Sequence, residues 1–295
     1  MRFSAFIALA LILLTGCVHH TPYSDEYYFQ ALGEPSEIVI TADLDKLKEG
    51  RFSELIPSSG AVGYVMDRSE RLSLSLNPKA LDRYPLAIED YIISGGVEGN
   101  LGKFTINTAL SFSKDFEKAR EDGLKYYTNG SVSLSVPENG ILLFTDGSFS
   151  ALYDRTIENR VKLIDDETAS LMAASVFAVF LDSPETLLDL GFELPDTVIK
   201  QIVTSYLTFG EVEGSLILSG RMMMDGKSSA RALTTLLRNQ LIQDAKRSGA
   251  KIDIKVLSSY FNYAEDVITI SDFPLPDDMA SRAEAMIKNA LEGLI

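Results

Sequence analysis

The chain has 295 residues, one cysteine, two histidines and no tryptophan, with 42 acidic against 27 basic side chains and a formal charge of −15. That balance argues against nucleic acid as a partner, because phosphate backbones reward basic patches. A single cysteine excludes a disulfide framework and a cysteine-ligated metal site.

At the N-terminus, Arg2 leads into the apolar run Phe6-Ile7-Ala8-Leu9-Ala10-Leu11-Ile12-Leu13-Leu14, and Thr15-Gly16 precede Cys17. A membrane span needs about 20 apolar residues, so this run is too short to cross and has the length of a signal h-region. Leu14-Thr15-Gly16-Cys17 resembles the lipobox of a bacterial lipoprotein signal peptide. The resemblance implies that residues 1–16 are removed and that Cys17 carries acyl chains, palmitate among them, which tie the protein to a membrane. Val18 follows the cysteine where an inner-membrane retention signal of the enterobacterial kind has Asp, which by that resemblance favours the outer membrane.

Residues 17–36 read as a lipidated polar tether, with Tyr27, Tyr28 and Phe29 expected to pack against the body. The body is expected to be α+β: internally duplicated strand–helix units forming a largely antiparallel sheet covered by amphipathic helices. The first repeat spans 37–150 and the second 151–295, ending in an amphipathic helix. The duplication rests on Val97-Glu98-Gly99 echoed by Val212-Glu213-Gly214, and on Leu72–Pro78 echoed by Phe177–Pro184.

After each Val-Glu-Gly, alternation predicts a strand (Phe104 to Phe112; Leu216 to Met224), then a helix (Lys114 to Tyr127; Ser228 to Arg247). A hairpin closes each unit: Val132 to Val136 with Ile141 to Thr145, and Ile252 to Leu257 with Val267 to Ser271. Asp43, Asp146 and Asp272 end strands where an acidic residue can cap a following helix. Residues 147–170 link the halves, with Asp165-Asp166-Glu167 opening a helix.

The candidate chemistry is thin. His19 and His20 both fall in the tether, so the body has no histidine for a Ser-His-Asp system or for HExxH zinc chemistry. Gly226-Lys227-Ser228 has the end of a phosphate loop but Arg221 where that loop needs glycine, and reads as a turn into a helix. Asp43-Leu44-Asp45 fails as a calcium loop at Leu47 and Lys48. Met222-Met223-Met224 reads as a core strand buried on both faces, not as a copper site. No cofactor or metal is called for.

Apolar stripes at helical spacing carry the remaining signal. One runs through Met279, Ala283, Met286, Ile287, Ala290, Leu291, Leu294 and Ile295; Met286, Ile287, Leu291 and Leu294 are its candidate lipid contacts. A second is Val198, Ile199, Ile202, Val203, Tyr206 and Leu207, and a third is Leu233, Leu236, Leu237 and Leu241.

The lipobox, aromatic-spotted tether, acidic body and duplicated pattern resemble spirochaetal outer-membrane-associated lipoproteins, a group with an α/β/α body whose amphipathic helices enter membranes. The resemblance carries over no functional residue except Cys17. The expectation is a lipid-anchored, periplasm-facing, non-enzymatic envelope protein that binds lipid or membrane through apolar helix faces or an inter-repeat pocket. A scaffold docking another envelope protein is the alternative, and a hydrolase using carboxylates the less favoured one. Lys and Arg are scarce beside the apolar stripes, which weighs against strong binding of anionic lipid.

Overall fold

The computed structural model describes residues 27–35, 37–49, 53, 60–79, 90–182, 195–212, 214–248, 254–275 and 280–281. In chain order the elements are β1 (Ile38–Asp43), α1 (Leu44–Glu49), α2 (Gly60–Met66), β2 (Ser69–Pro78), β3 (Tyr91–Gly99) and α3 (Lys103–Phe112). There follow β4 (Glu117–Glu121), β5 (Leu124–Thr128), β6 (Ser133–Glu138), β7 (Ile141–Thr145), α4 (Phe149–Tyr153) and α5 (Asp166–Ala173). The remainder is β8 (Phe177–Leu181), α6 (Asp196–Ile199), β9 (Ile202–Val212), β10 (Ser215–Met224), α7 (Lys227–Ser248), α8 (Ile254–Tyr260), β11 (Phe261–Ala264) and β12 (Val267–Pro274).

All twelve strands join one antiparallel sheet in the order β11-β12-β10-β9-β8-β1-β2-β3-β7-β6-β5-β4. The α+β class with a large antiparallel sheet is therefore as expected. Read outward from the β1–β8 seam, the two sides are built alike: β1-β2-β3-β7-β6 on one and β8-β9-β10-β12-β11 on the other. The β4–β5 hairpin extends the first side only.

Strand side chains alternate between faces, so each face of the sheet carries its own core. On one face Ile38, Ala42, Val97, Leu142, Val179 and Leu207 pack with α1 (Leu44, Leu47), α3 (Ile106) and α7 (Ala230, Leu233). On the other, Val39, Ala178, Phe180 and Tyr206 pack under Phe29 and α5 (Ala169, Met172, Ala173). Beside them Ile141 and Leu143 pack under Leu32 and α4 (Phe149, Leu152). Helices thus cover both faces, and Tyr27, Tyr28 and Phe29 pack on the body as expected.

Several local expectations need correction. Phe104 to Phe112 is helix α3, not a strand: Ile106 and Leu110 are four apart and both reach the core, which satisfies a helical face as well as an alternating one. Lys114 to Tyr127 is the β4–β5 hairpin, not a helix. Asp122 (φ 47°) and Gly123 (φ 84°) form its two-residue turn, with both residues in the left-handed region that such hairpins require.

The stripe from Val198 to Leu207 is not one helix but a short helix (α6) followed by strand β9, whose β-branched and aromatic residues fit a pleated surface. Residues 254–260 are helical, so the last hairpin is β11–β12. Met222 and Met224 are buried while Met223 is 44% exposed, so β10 buries one face there and not both.

Of the three acidic strand ends, only Asp43 caps a helix, accepting from Lys46 N at 3.0 Å. Asp146 accepts from Ile93 N at 2.7 Å, and the cap of α4 is Ser148, which accepts from Ala151 N at 3.2 Å. Asp272 lies within β12 and accepts from Ser219 Oγ at 3.1 Å. Asp165 does open α5, accepting from Thr168 N at 2.9 Å. Gly226-Lys227 is the expected turn into α7. The two echoed segments occupy different places: Val97 to Gly99 end β3 before a helix, whereas Val212 ends β9 and Gly214 stands just before β10.

Candidate functional site: the outer side of α3 and the buried polar seam

Helix α3 starts after Gly102 without a side-chain cap of its own. Its first free N–H, that of Lys103, donates to Asn139 Oδ1 at 2.9 Å across the β6–β7 turn, which offsets an otherwise orphaned helix donor. Asn107 holds the helix to β6, donating Nδ2 to Val136 O at 2.9 Å and accepting from Val136 N at 3.1 Å. With Ile106 in the core, the helix is fixed in rotation and presents its remaining side to solvent.

That side carries Phe104, 69% exposed, and Phe112, 84% exposed, the two most exposed large apolar side chains among the described residues. Beside it lies an open groove of about 500 Å3, whose lining includes Lys103, Phe104, Asn107, Lys118, Tyr127 and Asn139. Among the described residues no carboxylate lines it. The surface combines aromatic area with ammonium groups and suits an amphiphile with an anionic end.

A second concentration of polar groups is buried on the opposite face, under the N-terminal strap of residues 27–32. Thr41 and Ser73 share a hydrogen bond of 2.9 Å there, and so do Ser94 and Thr145. Arg71 donates to Thr41 Oγ1 at 3.2 Å and to Ala173 O at 3.0 Å, and its guanidinium lies 5.7 Å from the rings of both Tyr27 and Phe29. Those rings stack at 5.3 Å. The strap is tied down further where Gln30 Nε2 donates to Asp166 Oδ1 at 2.7 Å and Arg155 Nε donates to Leu32 O at 2.8 Å.

Two carboxylates sit in this seam. Glu98 is pushed up to about 7 by burial, against the pull of Arg71. Glu37 is also raised, by burial first, with the Ser75 hydroxyl bond opposing it. Burial and then the Glu138 carboxylate, which its hydroxyl bonds, push the Tyr28 phenol upward as well. Glu98 stands opposite Arg71, whereas Glu37 bonds Ser75, four residues along β2, so the two acids are roughly 13 Å apart along the strand. They share no open cleft and lie on the face away from the groove.

Cys17, Met286, Ile287, Leu291 and Leu294 lie outside the described residues, as do His19 and His20. Of the third stripe, Leu233 is buried and Leu237 and Leu241 pack partly against the core. Sequence reasoning did not single out Phe104, Phe112, Lys103 or Lys118. The Asp122-Gly123 dipeptide was the signal available for the hairpin, and with it for the side of the sheet that Lys118 faces. Among the described residues no group of three or more His, Cys, Asp or Glu side chains is placed to hold a metal, and no helix is long and apolar enough to cross a membrane.

No protein-family model matches the chain, and no curated protein does. Solved structures of TP0453 are similar to it. Crystal form I aligns with a TM-score of 0.54 at 12% identity, over 88% of this chain and 96% of TP0453. Crystal form IV aligns at 0.55 and 13% over 88% and 96%, and crystal form III at 0.53 and 11% over 88% and 97%. At these identities the likeness concerns the backbone plan, and this chain has the fold of TP0453.

Proposed function

We propose that the protein is a non-enzymatic lipoprotein of the bacterial envelope, acylated at Cys17, whose body meets lipid through the exposed side of α3. The observation that carries the reading is the pair Phe104 and Phe112, left in water by a helix whose other side is clamped to the sheet. Moving a phenylalanine ring from water into hydrocarbon gains about 2–3 kcal/mol, so two rings suffice for reversible contact once an acyl anchor holds the body nearby.

In this reading residues 1–16 are the removed signal, 17–26 the tether leading to the strap packed on the body, and the outer membrane the site, with the body facing the periplasm. Met286, Ile287, Leu291 and Leu294 are a further candidate lipid contact. The matching order of strands on the two sides of the β1–β8 seam supports an origin by internal duplication, with the divide near residue 150.

The test is flotation of the mature chain carrying Cys17→Ser with liposomes, alongside Phe104→Ser/Phe112→Ser. Co-flotation that the double variant loses supports the reading. Absence of co-flotation, or co-flotation indifferent to both rings, overturns it.

A further inference from the structure

Strand β4 reads Glu117-Lys118-Ala119-Arg120-Glu121, and its alternation sorts charge by face. Lys118 stands opposite Tyr127, and Arg120 opposite Lys125. Tyr127 in turn opposes Leu134, and Leu134 opposes Phe144, which packs into the core on the α3 side. Lys118, Arg120 and Lys125 therefore all project to the side of α3. Glu117 and Glu121 project to the other, where Glu121 accepts from Ser148 Oγ at 3.0 Å and Ser150 N at 3.3 Å.

Lys103, at the start of α3, adds a fourth cation. None of the four has a carboxylate partner among the described residues, whereas Lys46, Arg155, Lys162 and Arg221 each do. The chain carries 15 surplus negative charges, yet among the described residues no carboxylate lines this groove. The cations repel one another and draw an anion. They sit around the β4–β5 hairpin, which has no counterpart on the other side of the seam among the described residues.

We propose that the groove between α3 and the β4–β5 hairpin binds the phosphodiester headgroup of an anionic phospholipid, Lys103 and Lys118 flanking the phosphate and Phe104 meeting the acyl chain. The inference rests on the lipid-contact reading and adds to it a preference for headgroup charge. Each basic residue near an anionic surface contributes about fivefold in affinity, so neutralising two weakens binding about 25-fold.

The test titrates the mature Cys17→Ser chain with vesicles of phosphatidylcholine alone and of phosphatidylcholine with phosphatidylglycerol in equal parts. It also uses soluble dihexanoyl-phosphatidylglycerol and inorganic phosphate. Lys103→Gln/Lys118→Gln is compared with Lys200→Gln/Arg231→Gln, which changes charge equally elsewhere, and thermal melts check that both fold. The expected result is tighter binding to phosphatidylglycerol vesicles, lost about 25-fold in the first variant only, with phosphatidylcholine binding unchanged.

Equal affinity for both vesicles, or equal losses in both variants, overturns the headgroup site and leaves the lipid-contact reading standing. Inorganic phosphate binding as tightly as dihexanoyl-phosphatidylglycerol also overturns it, in favour of a free oxyanion. If wild type binds neither vesicle, the lipid-contact reading falls. The soluble lipid then decides the groove alone: saturable binding that Lys103→Gln/Lys118→Gln abolishes supports it, and none overturns it.

Discussion

The Asn107 carboxamide holds the Val136 peptide from both ends, Nδ2 to the carbonyl at 2.9 Å and Oδ1 from the N–H at 3.1 Å. Val136 is fully buried. Asn107→Ala leaves both peptide groups without partners, and each buried unpaired polar group costs about 1–3 kcal/mol. Urea unfolding should show a loss of about 2–4 kcal/mol. Fluorescent labelling of α3 should show the helix loosened at lower urea than the sheet.

The buried Glu98 sets a pH dependence. Its carboxyl ionises near 4.5 in the unfolded chain and near 7 in the fold, because burial favours the neutral form. Stability from this group is thus complete below about 4.5, falls as pH rises to about 7, and is level above. The loss amounts to roughly 3 kcal/mol, at about 1.4 kcal/mol per pH unit. Glu98→Gln removes it, so the unfolding free energy of the variant should change less than wild type between pH 5 and pH 8. Equal changes would show that Glu98 is ionised within the fold.

Gly99 ends β3 at φ +156°, and a Cβ there would run into the Arg68 carbonyl and lie 2.7 Å from Ser69 Cα. Backbone atoms cannot move aside as a flexible side chain does, so Gly99→Ala should cost about 2–3 kcal/mol. Gly210 in β9 has open space where its Cβ would be, and Gly210→Ala should be neutral within about 0.5 kcal/mol. Differential scanning calorimetry of the two variants gives the comparison.

The absence of tryptophan from the sequence makes Phe112→Trp a clean reporter. The side chain is 84% exposed, so the substitution should leave the melting temperature unchanged. Its emission should shift to the blue when vesicles containing phosphatidylglycerol are added. An emission maximum indifferent to lipid would place Phe112 away from the contact.

Much of the fold could be read from residue patterns, and the errors cluster where two periods coincide. Leu216 to Met224 alternates cleanly and is β10; Ser228 to Arg247 repeats at helical spacing and is α7. Between 104 and 112 the apolar residues fall at both two- and four-residue spacing, and what settled the matter was tertiary: Asn139 capping Lys103 and Asn107 gripping β6. Between 114 and 127 the charged residues recur at a spacing that also suits a helix, and the turn dipeptide Asp122-Gly123 is the mark of the hairpin.

That second misreading hid the candidate site itself. On a helix, Arg120 points away from Lys118 and Lys125, which fall seven residues apart on one face; on a hairpin all three share a face. The scarcity of cations beside apolar stripes in sequence is therefore made good in space by a neighbouring hairpin. Glu37 and Glu98 show the complementary case, since nothing in a strand's sequence tells that a strap from residue 27 onward will close over them.

The strap joins the body on the face of the sheet opposite α3. A molecule fastened through Cys17 is accordingly leashed from behind the side that bears Phe104 and Phe112. Ten residues, Cys17 to Glu26, give at most about 36 Å of leash. Trimming it would set fatty chains and phenyl rings in competition, each reaching the bilayer only as the other withdraws.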